Sequence, residues 1–331
     1  MIERIAKAVP SVRGTRGGAK ARRGLRLGIG DDAALLAAGR RDEWVLSSDA
    51  LVDGIHFRVD SDPPDSAGYK ALARATSDLA AMGAEARFFL LTLALPADRT
   101  GAWLDAFLRG MSRAARELGM RLAGGDTTRS DQVSISITVI GEIGRGLAVK
   151  RSGARPGDRI YVSGRLGRAA LGLALMEARG RAAKLPAPLL KPHLYPAIRI
   201  ELGGWLARHR LASAMMDISD GLSTDLARLC GASGVGAQLA AERIPCVRIP
   251  AAATRVLRGK PLDPLRMALH GGEDYELLFT VPPGKVKRLR RAPGFAQLAA
   301  IGEVQRGTRI TIVDGEGNRQ ELEPHGWDPF S

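Results

Sequence analysis

Acidic residues among small residues are the feature of this sequence that could do chemistry. Six such clusters occur along the chain: Gly28-Ile29-Gly30-Asp31-Asp32-Ala33, Ser47-Ser48-Asp49, Asp78, Gly124-Gly125-Asp126-Thr127-Thr128, Asp217-Ile218-Ser219-Asp220-Gly221 and Gly271-Gly272-Glu273-Asp274-Tyr275-Glu276. Hard cations such as Mg²⁺ take carboxylate, hydroxyl and water oxygens as ligands. Neighbouring Gly and Ser residues let the backbone approach a phosphate and donate hydrogen bonds to it. Because aspartates alone would repel a triphosphate, the pattern predicts Mg²⁺-dependent handling of ATP phosphates.

Each cluster taken singly has a simpler explanation, because Gly-Asp pairs are common in turns and Ser-Asp pairs often cap helices. Asp78 is different, since helical spacing places it on one face with Ala71, Ala75 and Met82. A carboxylate on an apolar stripe needs a cation, a hydrogen bond or an ion-pair partner. Two interpretations of Asp78 therefore stay open, a metal ligand or a buried salt bridge to an arginine.

Other phosphate-binding and catalytic motifs are absent or weak. The sequence contains no G-x-x-x-x-G-K-[ST], which excludes a P-loop protein. Residues 28–33 fit G-x-G-x-x-A, but Asp31 and Asp32 would stand where a dinucleotide pyrophosphate should rest, so we reject that interpretation. The five histidines are dispersed, and no nucleophile–base pair stands out.

The elements that must position these clusters alternate irregularly. Apolar periodicity predicts helices over 67–82, 102–118, 166–178 and 222–230. Strands are predicted over 44–46, 88–95, 132–140, 160–162, 275–281 and 309–313, the last entering a hairpin. We expect an α/β protein of α+β layers. The turn-rich segment 151–158 places the domain joint there, which predicts domains over 1–148 and 149–331.

Composition narrows the class of protein. The 331 residues carry a net charge of +14, but the arginines are scattered and aromatic residues make up only 5%, so we expect no nucleic-acid partner. Two cysteines, Cys230 and Cys246, make no disulfide framework or zinc site. The first residues lack a signal-peptide core, and the longest apolar run is too short to cross a membrane. We expect a cytoplasmic protein without a membrane partner. The Gly/Arg-rich segment 13–26 predicts a loop.

Taken together and in order, the clusters resemble those of the thiamine-monophosphate kinases, in the superfamily that includes aminoimidazole ribonucleotide synthetase. Further motifs complete the resemblance over nearly the whole chain. They are Gly54-Ile55-His56-Phe57, Ser77-Asp78-Leu79-Ala80-Ala81-Met82-Gly83-Ala84, Arg151-Ser152-Gly153-Ala154-Arg155-Pro156-Gly157-Asp158 and Gly326-Trp327-Asp328-Pro329-Phe330. The sequence departs from the family pattern at Ser48, where Thr is common, and at His270, where Ser is common.

The resemblance implies ATP-dependent phosphorylation of thiamine monophosphate to thiamine diphosphate, by direct in-line transfer assisted by several Mg²⁺ ions. It implies metal ligation by Asp32, Ser47, Ser48, Asp49, Asp78, Asp126, Asp217 and Asp220, with Asp31 the less certain member of its pair. It places Gly125, Asp126, Arg151 and Ser219 beside ATP, and His56, Glu273 and Trp327 beside thiamine monophosphate. Trp327 could equally anchor the tail.

The resemblance also implies a fold of two α/β domains, the N-terminal one pairing its sheet across a homodimer and the C-terminal one completing the ATP and substrate site. No side-chain nucleophile is required, since the acceptor phosphate is largely ionised at neutral pH, with a second pKa near ~6. Related enzymes remain as alternatives. Selenophosphate synthetase and the hydrogenase-maturation dehydratase would need a cysteine near a terminus, whereas His56 and Trp327 argue against aminoimidazole ribonucleotide synthetase.

Overall fold

The protein is described here by a computed structural model that covers residues 25–28, 30–39, 41–178, 187–257 and 262–327. These residues fall into two compact units, one ending at Lys150 and the other beginning at Arg151. Except for its last two residues, the loop predicted over 13–26 lies outside the described ranges.

The N-terminal unit is built on a six-stranded sheet in the order β1-β2-β3-β6-β4-β5. Its strands are β1 (Leu25–Leu27), β2 (Ala34–Ala37), β3 (Asp42–Val52), β4 (Glu85–Leu95), β5 (Arg121–Arg129) and β6 (Ser134–Gly144). Strand β5 runs parallel to β4, whereas the other neighbours are antiparallel. The alternation predicted over 132–140 is confirmed in β6, where Ile135, Ile137 and Val139 are buried.

Among the described residues, two helices complete this unit, α1 (Pro64–Met82) and α2 (Ala102–Glu117). Helix α1 is buried on nearly every side, and it ends at Gly83, whose φ of 76° is left-handed. The two helices cross in close contact at Gly68 and Gly110. A Cβ on Gly68 would lie 2.0 Å from the Phe107 carbonyl oxygen, so only glycine fits at this crossing.

The secondary structure predicted for two of the acidic clusters is wrong. Ser47-Ser48-Asp49 was expected after a strand, but it lies inside β3, which continues to Val52. Gly124-Gly125-Asp126 was expected in a turn, but it lies inside β5. Pairing with β4 overrides the turn preference of the glycines, because the two backbones approach so closely that a Cβ on Gly125 would lie 1.8 Å from the Leu91 carbonyl oxygen.

The C-terminal unit is built on a seven-stranded sheet in the order β13-β12-β9-β11-β7-β10-β8. Its strands are β7 (Arg159–Val162), β8 (Ala214–Ile218), β9 (Gly236–Ala240), β10 (Glu276–Val281), β11 (Ala299–Gln305), β12 (Ile310–Val313) and β13 (Arg319–Glu321). The predicted hairpin is confirmed, since β12 pairs antiparallel with β13.

The helices of this unit are α3 (Arg168–Glu177), α4 (Ala187–Leu194), α5 (Ile200–Arg208), α6 (Leu222–Ser233), α7 (Ala251–Val256) and α8 (Pro264–His270). Its core joins one face of the sheet to α6, with Ile160, Met216 and Leu278 in the same cluster as Leu226 and Leu229. The expected mixed α/β architecture of layered sheets and helices is confirmed.

Among the described residues, every helix is too short or too polar to cross a lipid bilayer. Cys230 and Cys246 are both free thiols, in agreement with the expectation that they form no disulfide.

Candidate active site

In the N-terminal unit, two of the predicted metal ligands come together from different elements. Asp32 follows the loop after β1 and is buried, and Asp78 lies on α1 as one of its few half-buried residues. A carboxylate oxygen of Asp32 lies within 4.8 Å of one of Asp78. Ser47, on β3, donates its hydroxyl to Oδ2 of Asp78 at 2.5 Å. Two carboxylates and a hydroxyl at this spacing form an oxygen-rich donor set that suits a hard divalent cation.

Asp49 and Ser48 have different surroundings on the same strand. Arg74, on α1, holds both oxygens of Asp49, with distances of 2.5 Å from Nε to Oδ2 and 3.1 Å from Nη2 to Oδ1. The Ser48 hydroxyl lies 3.1 Å from the Thr138 hydroxyl. Asp49 is thus fixed by a bidentate ion pair. The sequence left open a salt bridge between Asp78 and an arginine. The structure shows a salt bridge to an arginine at Asp49, with Arg74 as the partner.

Asp31 is half-buried and Asp126 is exposed, and each carboxylate accepts a hydrogen bond from the backbone N–H of the next residue. Oδ1 of Asp31 accepts the backbone N–H of Asp32 at 3.0 Å, which shapes the turn that carries Asp32. Oδ1 of Asp126 accepts the N–H of Thr127 at 2.8 Å, on the exposed strand β5. Gly125 beside it presents bare backbone, as the predicted contact with a nucleotide phosphate requires.

His56 lies in the turn after β3, and its ring is oriented by the main chain. The backbone N–H of Val52 donates to Nδ1 of His56 at 3.1 Å. Because Nδ1 accepts this hydrogen bond, the neutral ring carries its proton on Nε2. His56 can therefore offer an Nε2–H donor to an anionic group, and its neighbour Ile55 is 61% exposed.

In the C-terminal unit, the end of β8 and the loop that leads to α6 carry Asp217, Ser219 and Asp220. Asp217 is buried on β8, and the other two are half-buried in the turn. The turn is held by Asp225, a residue that our sequence reasoning did not single out. Oδ2 of Asp225 accepts the backbone N–H groups of Ser219, Asp220 and Gly221 at 3.1, 3.0 and 3.1 Å.

The surroundings of Asp225 disfavour the ionised form of its carboxyl group. Burial raises the pKa of Asp225 well above its usual range, and the nearby Asp217 and Asp220 raise it further. Arg228 opposes the effect, with Nη1 at 2.5 Å from Oδ2 of Asp220 and 3.0 Å from Oδ1 of Asp225. A sequence signal for Asp225 existed, since an acidic residue in the first turn of α6 suits its positive N-terminus.

Glu273 projects from a strained segment between α8 and β10. Its φ is 67° and that of Tyr275 is 49°, both in the left-handed region that non-glycine residues rarely adopt. The Glu273 N–H donates to the Ser219 carbonyl at 2.8 Å, and the Tyr275 N–H donates to Ile218 at 2.9 Å. Strain of this kind persists only where the surrounding structure fixes it, and it concentrates at binding sites.

The two acidic residues that follow Glu273, Asp274 and Glu276, make contacts within the fold. The Asp274 carboxylate accepts the N–H groups of Gly167, Arg168 and Ala169 at the start of α3, at 2.6, 3.1 and 3.2 Å. Burial raises the pKa of Asp274 to about 7, partly offset by these hydrogen bonds. Glu276 accepts from Ser163 and from the guanidinium of Arg199, with Nε 2.6 Å from Oε2.

Arg151 is the first residue of the C-terminal unit, and Trp327 is the last of its residues that the structure describes. The Trp327 N–H donates to the Asp220 carbonyl at 3.1 Å, and the Gly326 N–H donates to Thr224 Oγ1 at 2.9 Å. Trp327 is 42% exposed. The tail therefore docks on the loop that carries Asp220. Arg151 is half-buried, and its carbonyl accepts the Ser233 hydroxyl at 3.1 Å.

Known proteins match both units in order. Residues 30–143 match the family described as AIR synthase related protein, N-terminal domain, and residues 155–315 match its C-terminal domain. The chain is 44% identical over 311 residues to thiamine-monophosphate kinase of Escherichia coli strain K12, which covers 93% of each protein.

Solved structures agree with this match. The structure of AaThiL complexed with AMPPCP and TMP is 31% identical to this chain, with a TM-score of 0.82, and the match covers 99% of this chain and 96% of that one. Thiamine-monophosphate kinase from Stenotrophomonas maltophilia K279a is 37% identical, with a TM-score of 0.72 over 88% of this chain and 92% of that one. From these matches, the chain belongs to the thiamine-monophosphate kinase family of AIR synthase related proteins.

Proposed function

We propose that this protein transfers the γ-phosphoryl group of ATP to thiamine monophosphate and so forms thiamine diphosphate. The observation that carries the proposal is the match along nearly the whole chain to AaThiL complexed with AMPPCP and TMP. The name of the Escherichia coli relative agrees with it. AMPPCP is an analogue of ATP, so that complex holds a donor-like molecule and TMP together.

The oxygen-rich residues are proposed to hold Mg²⁺. The spacing of Asp32, Asp78 and Ser47 fits a hard cation, because two carboxylates this close repel each other unless positive charge lies between them. The remaining proposed ligands are Ser48, Asp49, Asp126, Asp217 and Asp220. When bound, Mg²⁺ offsets the negative charge of the phosphates and of the transition state.

The other proposed contacts follow from the chemistry of the chain's own groups. The bare backbone of Gly125, with Arg151 and Ser219, contacts the ATP phosphates. His56 donates from Nε2 to the phosphate of thiamine monophosphate, because its Nδ1 is already occupied by Val52. Glu273 and Trp327 contact the thiamine moiety, in which the thiazolium carries a positive charge that a carboxylate and an indole face both attract.

No general base is needed in this reaction. The attacking group is a phosphate oxygen of thiamine monophosphate, which is largely ionised at neutral pH because its second pKa lies near ~6. The chain's task is therefore to bring two polyanions together and to orient them in line. Positioned donors and cations can do this without a covalent intermediate.

A homodimer is proposed on the free edge of the N-terminal sheet. Every residue of β5 is exposed, and within the described residues its outer edge has no neighbouring strand. Leu122 on β5 is 57% exposed, and Phe88 and Leu90 on the neighbouring strand β4 are 39% and 37% exposed. An apolar strand edge of this kind invites pairing with a second copy. Sedimentation should show a dimer, and Leu122→Lys should shift it toward monomer; a monomeric wild-type chain would refute this part.

We further propose that the protein works in the cytoplasm, where ATP is available and where free thiols such as those of Cys230 and Cys246 stay reduced.

The experiment that tests the proposed activity is ADP release with Mg²⁺ and ATP in the presence of three separate acceptors. These are thiamine monophosphate, thiamine and formylglycinamidine ribonucleotide. We expect turnover with thiamine monophosphate alone. Turnover with the ribonucleotide instead would identify an aminoimidazole ribonucleotide synthetase, and turnover with none of them would refute the proposal.

A further inference from the structure

His193 is a buried imidazole close to the strained segment that carries Glu273. It lies near the end of α4 and is 4% exposed. Its Nδ1 lies 3.1 Å from Oε2 of Glu273, which is 80 positions further along the chain. Burying an imidazole costs free energy unless polar atoms lie beside its ring nitrogens. Glu273 places a carboxylate oxygen beside Nδ1 of His193.

The backbone around both residues is fixed. A Cβ on Gly172 of α3 would lie 2.9 Å from Cβ of His193, so α3 and α4 approach closely at that point. On the other side, Glu273 is held in its left-handed conformation by the bond from its N–H to Ser219. What remains adjustable is the side chain of Glu273, which is 24% exposed.

The contact is within hydrogen-bonding distance but is not aligned as a relaxed hydrogen bond. A rotation of the Glu273 carboxylate or of the imidazole ring would be needed to align Oε2 with Nδ1–H. Contacts of this kind in ligand-free sites commonly tighten when the substrate binds. Once aligned, a donor at Nδ1 restricts the rotamers of the carboxylate.

We propose that His193 is a positioning residue, which orients the Glu273 carboxylate that attracts the cationic thiamine moiety. The inference rests on the proposed function and deepens it by adding a residue to the acceptor site. His193 acts through Glu273, so it should affect binding of thiamine monophosphate and leave binding of ATP unchanged.

The experiment compares His193→Leu with His193→Asn. Leucine has a similar branched shape and no donor, whereas the amide nitrogen of asparagine can occupy the place of Nδ1. We expect His193→Leu to raise KM for thiamine monophosphate about tenfold, since it removes a bond to a charged group. KM for ATP and kcat should stay within about twofold, and His193→Asn should restore most of the loss. His209→Leu, at an exposed histidine of the same unit, is the matched control.

A double variant separates positioning from a general structural role. In the Glu273→Gln background, His193→Leu should add little to KM for thiamine monophosphate, because coupled residues give non-additive effects. An unchanged KM in His193→Leu, a full additional increase in the double variant, or equal changes in both KM values would each overturn the proposal.

Should His193→Leu fail to fold, His193→Gln, which moves the donor toward the place of Nε2, faces the same comparisons. Wild-type protein without turnover of thiamine monophosphate would overturn the proposed function and this inference together. Wild-type turnover with an unaffected His193→Leu variant would overturn the inference alone.

Discussion

Two aspartates on helices, Asp78 in the N-terminal unit and Asp225 in the C-terminal unit, show how the same residue type can do different work. Asp225 is completely buried, and its carboxylate is surrounded by three backbone N–H donors and the Arg228 guanidinium. Asp78 is half-buried, faces a second carboxylate, and receives a serine hydroxyl.

The difference shows that the groups around an aspartate, more than its burial, distinguish a carboxylate that holds the fold together from a candidate metal ligand. Three backbone N–H donors and Arg228 hold the Asp225 carboxyl within the fold, even though burial and the nearby Asp217 and Asp220 raise its pKa, so it stabilises a loop. Asp78 lies beside the carboxylate of Asp32, and a cation would relieve the repulsion between these two groups. If this comparison is correct, substitutions at the two positions should separate activity from stability.

The largest effect is expected from Asp78→Asn. Loss of a metal ligand removes several kcal/mol of charge stabilisation, and each 1.36 kcal/mol is tenfold, so kcat should fall by roughly 1000-fold. Without Mg²⁺ the variant should be at least as stable as wild type, because repulsion with Asp32 is relieved. The measurements are steady-state ADP release and the thermal unfolding midpoint.

Asp105→Asn, at an exposed aspartate on α2, is the control for that substitution and should leave kcat unchanged. Binding of Mn²⁺ in the presence of AMPPCP, followed by electron paramagnetic resonance, gives a readout independent of turnover. Wild-type kcat and Mn²⁺ affinity in Asp78→Asn would contradict the ligand role.

The opposite pattern is expected for Asp225→Ala. Three backbone N–H groups lose their acceptor, which should lower the free energy of unfolding by about 2–4 kcal/mol. Asp225→Asn keeps one oxygen acceptor and should lose less. Urea denaturation of both variants checks the order. A fully stable Asp225→Ala protein that has lost its activity would break the comparison, because Asp225 would then behave like Asp78.

A pH dependence should come from Asp274, a half-buried carboxyl in the loop before β10. Its pKa of about 7 in the folded protein lies above the 3.8 of an exposed aspartate. Between these values the folded chain holds more protons than the unfolded one, so this contribution to stability is complete below about pH 4 and is lost as the pH rises through 7.

Between pH 5 and pH 8 the wild-type protein should therefore lose on the order of 2 kcal/mol more stability than Asp274→Asn. Urea denaturation midpoints at the two pH values provide the comparison. Parallel pH profiles for the two proteins would show that the three N–H donors compensate for the charge of Asp274, and would contradict this pH dependence.

The smallest effect is expected from Gly326→Ala, which tests whether the loop shaped by Asp225 also places Trp327. A Cβ on Gly326 would lie 2.1 Å from the Asp220 carbonyl oxygen and 2.5 Å from Thr224 Oγ1, so the tail must shift. KM for thiamine monophosphate should rise about fivefold, in line with loss of a cation–π contact. Gly284→Ala, which meets open space, is the control; equal KM values in both variants would refute the role of the tail.

Much of this architecture could be predicted from local patterns. The alternation of apolar and polar residues predicted which face of β6 points into the core, and the helical spacing of apolar residues predicted α1. The turn residues 314–317 predicted the β12–β13 hairpin. Strand β5 could not be predicted in this way, because its Gly-Gly pair is typical of a turn and only the parallel pairing with β4 makes it a strand.

The site could be predicted only as far as composition and resemblance reach. The aspartates stood out by their small neighbours, whereas Asp225 and His193 did not, because their roles depend on contacts formed by the fold. His193 meets Glu273 across 80 positions, and a single histidine on a short helix carries no signal of that contact. Arg74 is similar, since nothing in the order of residues pairs it with Asp49.

The most direct test of the central claim is to follow the γ-phosphoryl group itself. Wild-type protein would be incubated with Mg²⁺, thiamine monophosphate and ATP labelled in the γ-phosphoryl group, and the products separated. We predict thiamine diphosphate with the label in its terminal phosphoryl group, in a one-to-one ratio with ADP. Label released as inorganic phosphate, with thiamine monophosphate unchanged, would contradict the account.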